Sequence, residues 1–125
     1  MPFSHNWEEK GVVVTFSGVI TSNEVMKANN QIIGDPRFDN LLYQIFDFGN
    51  IDKIISSDEE AKMIGIMDKS STRWNKRIKV ACITNKDYII EMINEYAEML
   101  KETEWDVGVF KDLDDAYSFV GKTDI

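Results

Sequence analysis

Phe3, His5 and Trp7 alternate with Ser4 and Asn6, the period of two expected of a short strand, and the polar Glu8-Glu9-Lys10 stretch closes it. After Gly11 comes Val12-Val13-Val14-Thr15-Phe16-Ser17, rich in β-branched side chains that suit a pleated surface, with Gly18 at its end. Two such runs joined by a short turn predict a β-hairpin. The period then lengthens. Val25, Ala28, Ile32 and Ile33 recur at helical spacing behind Thr21-Ser22-Asn23-Glu24. That tetrad is a capping box, in which a hydroxyl and a glutamate three residues later satisfy free N–H groups at a helix start. Gly34-Asp35-Pro36 stops the helix, because proline cannot continue it.

Leu41 to Phe48 is apolar apart from Gln44 and its turn-forming flanks, and predicts a buried strand ending at Asp47. Ser57-Asp58-Glu59-Glu60 is a second capping box, with acidic residues in the first turn where the helix dipole favours them. Its helix should run to about Ser70. Ile78 to Thr84 predicts another buried strand, and a third helix follows from Asn85 with Ile89, Ile93, Tyr96, Ala97 and Leu100 on one face. Val107 to Phe110 is a short strand. Asp112 caps a last helix carrying Leu113, Ala116, Tyr117 and Val120, and Gly121 ends it. The order is ββαβαβαβα. Strands alternating with helices in the later half imply an α/β fold with parallel pairing through right-handed crossovers. No repeat, linker or low-complexity segment interrupts residues 1–125, which read as a single domain.

Composition narrows the function classes. With 125 residues, 43% of them hydrophobic, the chain can bury roughly two-thirds of its unfolded surface around one core. A net charge of −8 argues against nucleic acid as a partner, since that needs a basic footprint to displace counterions. Cys82 is the only cysteine and His5 the only histidine, so neither an internal disulfide nor an ordinary zinc site can be assembled. No cofactor is implied. No apolar stretch approaches 18 residues and the start lacks a basic, apolar signal pattern, so a soluble, cytoplasmic protein is expected.

Little in the sequence points to catalysis. Cys82 falls inside a predicted strand beside Val80, Ala81 and Ile83, where a thiol without a nearby base stays protonated and inert. His5 belongs to the first hairpin with no Ser/Asp context around it. The seven glycines are scattered, so there is no phosphate loop, and no spacing singles out a carboxylate pair among 22 acidic residues. More informative is Asp47 at the expected carboxyl end of a buried strand, followed by Ser56 and Ser57 at the next helix start. Ligands of open α/β sheets gather at that edge, and helix N-termini offer free N–H groups to anions. The same residues also serve as turn and capping groups. In the second helix Ala61, Met63, Ile64, Ile66 and Met67 spread over roughly 220°, wider than one core face needs. Met92 and Met99 share an edge of the third helix. Methionine adapts to irregular gaps and varied ligands, so Met63, Ile66, Met92 and Met99 are candidates either for a binding surface or for a seam between the two helices. Finally, Arg73-Trp74-Asn75-Lys76-Arg77-Ile78-Lys79 concentrates positive charge around Trp74, as a solvated loop or as a docking patch for a membrane surface or an acidic partner.

Trp7 through Gly11 leading into Val12-Val13-Val14, Gly18-Val19-Ile20-Thr21, Asp35-Pro36-Arg37-Phe38, Phe46-Asp47-Phe48, Lys79-Val80-Ala81-Cys82-Ile83 and Val109 to Ala116 together resemble the SpoIIAA-like family. That family is related to the STAS (sulfate transporter and anti-sigma-factor antagonist) domain and to the SEC14/CRAL-TRIO lipid-binding group. The resemblance spans nearly the whole chain. It implies a mostly parallel sheet with an antiparallel N-terminal strand and helices on its faces. STAS antagonists are phosphorylated on a serine in an Asp-Ser-Ser-Gly type segment at the head of the second helix. Here the matching stretch is Ile55-Ser56-Ser57-Asp58, with Ile55 in place of the aspartate and Asp58 in place of the glycine. An acidic residue there repels an incoming phosphate, so Ser56 and Ser57 are expected to remain unmodified. The resemblance therefore implies a non-enzymatic STAS/SEC14-like domain that binds a small lipophilic ligand or a protein partner through its second and third helices. The alternative is an anti-sigma-antagonist-like regulator acting by protein contact at the Asp47 to Ser57 edge. Ligand, partner and oligomeric state are left open.

Overall fold

The computed structural model describes residues 3–121. Five strands form one sheet in the order β1 (Phe3–Trp7), β2 (Gly11–Thr21), β3 (Tyr43–Ile55), β4 (Lys79–Ile83) and β5 (Asp106–Phe110). β1 runs antiparallel to β2, and the remaining neighbours are parallel. The helices are α1 (Ser22–Ile33), α2 (Asp58–Ser71), α3 (Asp87–Leu100) and α4 (Leu113–Val120). The mixed α/β architecture and strand directions agree with the reading of the sequence.

Parallel strands joined by helical crossovers are buried on both faces, which is why the central strands carry nearly continuous apolar runs. On one face Val12, Val14, Phe16, Phe46 and Phe48 meet α1, α2 and α3 through Val25, Ile32, Ile64, Ile89 and Ile93. On the other Val13, Ile45, Ala81 and Ile83 meet Ala116 and Val120 of α4. Three helices therefore cover one face and one covers the other. The predicted N-cap residues Thr21, Ser57 and Asp112 cap their helices, but at α2 only half of the expected capping box forms, because Ser57 N donates to Ser22 Oγ rather than to Glu60. Thr21 and Glu24 close the capping box of α1, and Ser57 Oγ accepts from Glu60 N at the head of α2. Asp112 Oδ1 accepts from Asp115 N at 2.8 Å in α4. Replacing that cap by Asp112→Ala should lower stability by about 1 kcal/mol in urea melts.

Two strands run further than their turn-like residues predict. β2 does not stop at Gly18. That glycine takes a left-handed φ of 74°, two register shifts absorb the irregularity, and the strand continues to Thr21 and straight into α1. β3 likewise does not end at Asp47 but runs on to Ile55, paired with β2 alone once β4 stops opposite Asp47. Gly49-Asn50 looks like a turn, yet β2 keeps supplying hydrogen-bond partners, and a chain with a partner beside it stays extended. Asp47 therefore sits inside a strand, where its Oδ1 accepts from Gly49 N at 2.8 Å. Between α1 and β3 the chain also makes a short 3-10 turn, Pro36–Asn40, capped by Asp35 and anchored by buried Phe38.

Candidate functional site

α2 lies between α1 and α3, and its inward face mixes small side chains with one large apolar residue and one carboxylate. Ala61, Ile64, Gly65, Asp68 and Ser71 follow one another at helical spacing toward the sheet and the neighbouring helices, while Met63 and Ile66 point to solvent, 47% and 55% exposed. Gly65 sits directly under Met99 of α3: a Cβ on it would lie 2.5 Å from Met99 Sδ, so any side chain there would have to displace the methionine tip. The inward face leaves a space of about 90 Å³ over the sheet. Its walls are mostly apolar: Phe46 and Phe48 from β3, Val25 from α1, Ile64 from α2, and Met92 and Ile93 from α3.

Among the described residues lining this space, Ser22, Tyr96 and Asp68 are polar, and Asp68 alone of them carries a carboxylate. Asp68 is 1% exposed and lines the cavity. Its Oδ1 accepts from Asn29 Nδ2 at 2.7 Å, and its Oδ2 accepts from the Tyr96 hydroxyl. Burial raises the Asp68 carboxyl to about 6 even though both hydrogen bonds favour its charged form. The same burial, with Asp68 beside it, pushes Tyr96 well above the ordinary phenol value. Cys82 is pushed up to about 12 and stays a neutral thiol, without nucleophilic character. Asn29 Oδ1 is buried without a donor.

A surface groove of about 560 Å³ between α2 and α3 shares Ala61, Met92 and Tyr96 with the lining of this cavity. Asp58, Lys62, Asn94, Glu95, Glu98 and Met99 form the rest of that groove. The arrangement can enclose a small apolar body and present a carboxylate to it. Among the described residues no group of three or more His, Cys, Asp or Glu side chains could hold a metal ion, and no helix is long and apolar enough to cross a membrane.

Of the residues singled out in the sequence, the structure brings Met92 to the cavity and Met99 to the groove above it. Met63 and Ile66 lie on the outer surface of α2. Trp74 is 59% exposed in the loop after α2, with the Arg73 guanidinium 5.5 Å from its ring. Asp47 belongs by strand alternation to the α4 side of the sheet, opposite the cavity. Ser56 is exposed, and Ser57 is tied into α1. Ser57 N donates to Ser22 Oγ at 3.3 Å, and both serine hydroxyls donate to Glu60 Oε1. The residues the sequence concealed are Asp68, Tyr96 and Asn29. Met63→Ala and Ile66→Ala should each change stability by less than about 0.5 kcal/mol, as surface substitutions do, whereas Ile93→Ala should cost about 2–5 kcal/mol. Urea melts of the three variants measure this.

No protein-family model matches the chain, and no curated protein matches its sequence. Solved structures do match in shape. The anti-sigma factor antagonist SpoIIAA in its unphosphorylated form aligns over 97% of this chain and 99% of its own, with a TM-score of 0.63 at 10% identity. An uncharacterized protein of the DUF3478 family with a SpoIIAA-like fold, from Shewanella loihica PV-4, aligns over 94% of this chain and 91% of its own, with a TM-score of 0.56 at 14% identity. The fold is therefore SpoIIAA-like.

Proposed function

We propose that the domain is a non-enzymatic binding module that takes a small lipophilic molecule into the cavity between the sheet and α1–α3. The observation that carries this reading is the 90 Å³ largely apolar space that shares Ala61, Met92 and Tyr96 with the α2–α3 groove. An occupant of matching shape removes its own apolar surface from water and gains packing contacts with these apolar walls. The neutral thiol of Cys82 provides no nucleophile against such a guest.

Methyl NMR with toluene as probe tests it. The Met92, Ile64 and Ile93 methyl signals should shift on saturation, while those of Met63 and Ile66 should not. Shifts confined to Met63 and Ile66, or none, would overturn the reading.

A second reading draws on the protein surface. Ile55 is 55% exposed and Val19 50% exposed on the extension of β2 and β3 beyond β4, with Tyr88 Oη accepting from Ile54 N alongside. An exposed apolar strip at a strand edge suits contact with a protein partner, and the fold neighbour SpoIIAA is an anti-sigma factor antagonist. A phosphoserine switch is not part of this proposal, because Ser57 already hydrogen-bonds Glu60 and follows directly on to Asp58. Phosphopeptide mapping of the protein from its host should find Ser56 and Ser57 unoccupied. Substantial occupancy of either would move the function to a phosphorylation-controlled partner contact.

A further inference from the structure

We infer that the cavity recognises a small lipophilic amine, whose ammonium group pairs with Asp68 while its hydrocarbon body fills the apolar space. This rests on the cavity being a ligand site and adds the chemistry of the guest.

Asp68 is the observation that carries it. Its carboxylate is buried, and its two oxygens receive one hydrogen bond each, from the neutral Asn29 amide and the neutral Tyr96 phenol. A carboxylate offers about four acceptor positions, so roughly half its capacity is unused. Among the described residues no cation pairs with it. The ion pairs among the described residues are Arg37–Asp35, Arg77–Glu104 and Lys101–Glu98, all elsewhere. The titratable groups nearest it are Tyr96 on α3 and the Cys82 thiol on β4, and neither can carry positive charge. A buried charge without a counter-ion costs several kcal/mol, and an apolar residue would stabilise the empty fold better. A cationic guest supplies the missing partner.

Two further features set the guest's class. The adjoining groove is lined by Asp58, Glu95 and Glu98 against Lys62, with Lys101 paired to Glu98, a bias that draws cations and repels carboxylates. This disfavours a fatty acid. The cavity's volume of about 90 Å³ limits the enclosed body to a short or branched chain.

The test is a methyl NMR titration at pH 7.5 with isoamylamine, isoamyl alcohol and isovalerate, which share one branched hydrocarbon body. The amine should bind about tenfold more tightly than the alcohol, because it brings a full opposite charge to Asp68 where the alcohol brings only a hydrogen bond, and isovalerate most weakly. Asp68→Asn should remove the amine's advantage over the alcohol. That variant has a route to a folded state, because its new amide can donate to Asn29 Oδ1, which lacks a donor now. A measurement on the unaltered protein gives the same information: the amine's advantage over the alcohol should shrink as the pH drops below 6. Equal binding of amine and alcohol would overturn the amine assignment and leave the cavity reading intact. So would an amine preference that survives Asp68→Asn. Failure of all three probes to shift Met92 or Ile93 would overturn both.

Discussion

Acidification should stabilise this protein, by about 1.5 kcal/mol between pH 7.5 and pH 5 and by about 2.5 kcal/mol at pH 4. The cause is Asp68. Its carboxyl titrates near 6 in the fold and near 3.8 in the unfolded chain, so between those values the native state binds the extra proton. Stability is then greatest below the unfolded value and is lost as pH rises through about 6. Tyr96 and Cys82, the titratable groups beside it, are both raised and stay neutral throughout the window. The opposing change comes lower. Asp35 is held at about 2 by hydrogen bonds from the Arg37 side chain and backbone, so its stabilising contribution is lost only below about pH 4. Urea midpoints across pH 4–7.5 measure the slope, and Asp68→Asn should flatten it. That control separates Asp68 from the general relief of repulsion in a chain of net charge −8. A slope unchanged in Asp68→Asn would mean the buried carboxylate is not its source.

The largest loss of stability should come from Phe16→Ala. Phe16 is fully buried at the centre of β2, stacked 4.8 Å from Phe48 and within 6.0 Å of the Phe46 ring, the two aromatics that form the cavity floor. Truncation removes the ring's burial, its aromatic contacts and the support beneath that floor, at a cost of about 3–5 kcal/mol. Against a total stability of about 5–15 kcal/mol, this is enough to leave the variant marginally folded. A urea midpoint close to the unaltered protein's would show that the aromatic floor repacks and that the cavity walls are soft.

Most of the fold is legible because its signals are local. Thr21, Ser57 and Asp112 announce helix starts through hydroxyl and carboxylate chemistry that works within four residues. Gly18 and Gly49 mislead for the opposite reason: whether such a residue ends a strand depends on a partner strand distant in sequence. β2 and β3 provide that partner to each other. The site is harder to read. A large apolar residue on a helix is taken to face inward, but Met63 and Ile66 of α2 face out while Gly65 packs under Met99 of another helix, a contact between residues distant in sequence. Asp68 shows the same effect. A charged residue reads as solvent-facing, and only its spacing from Ala61, Ile64 and Gly65 marks it as inward. Met92 was legible because an apolar residue beside the Ile89–Ile93 stripe of α3 meets the sheet under any packing.

Native mass spectrometry of the protein purified from its own host, alongside an Ala61→Phe variant, tests the central claim most directly. Ala61 borders both cavity and groove, so a phenyl ring there occupies the space a guest would use. The cavity account predicts that the unaltered protein carries a bound lipophilic small molecule and that the folded Ala61→Phe variant carries none. A ligand-free mass for the unaltered protein, or the same molecule retained by both, would contradict it.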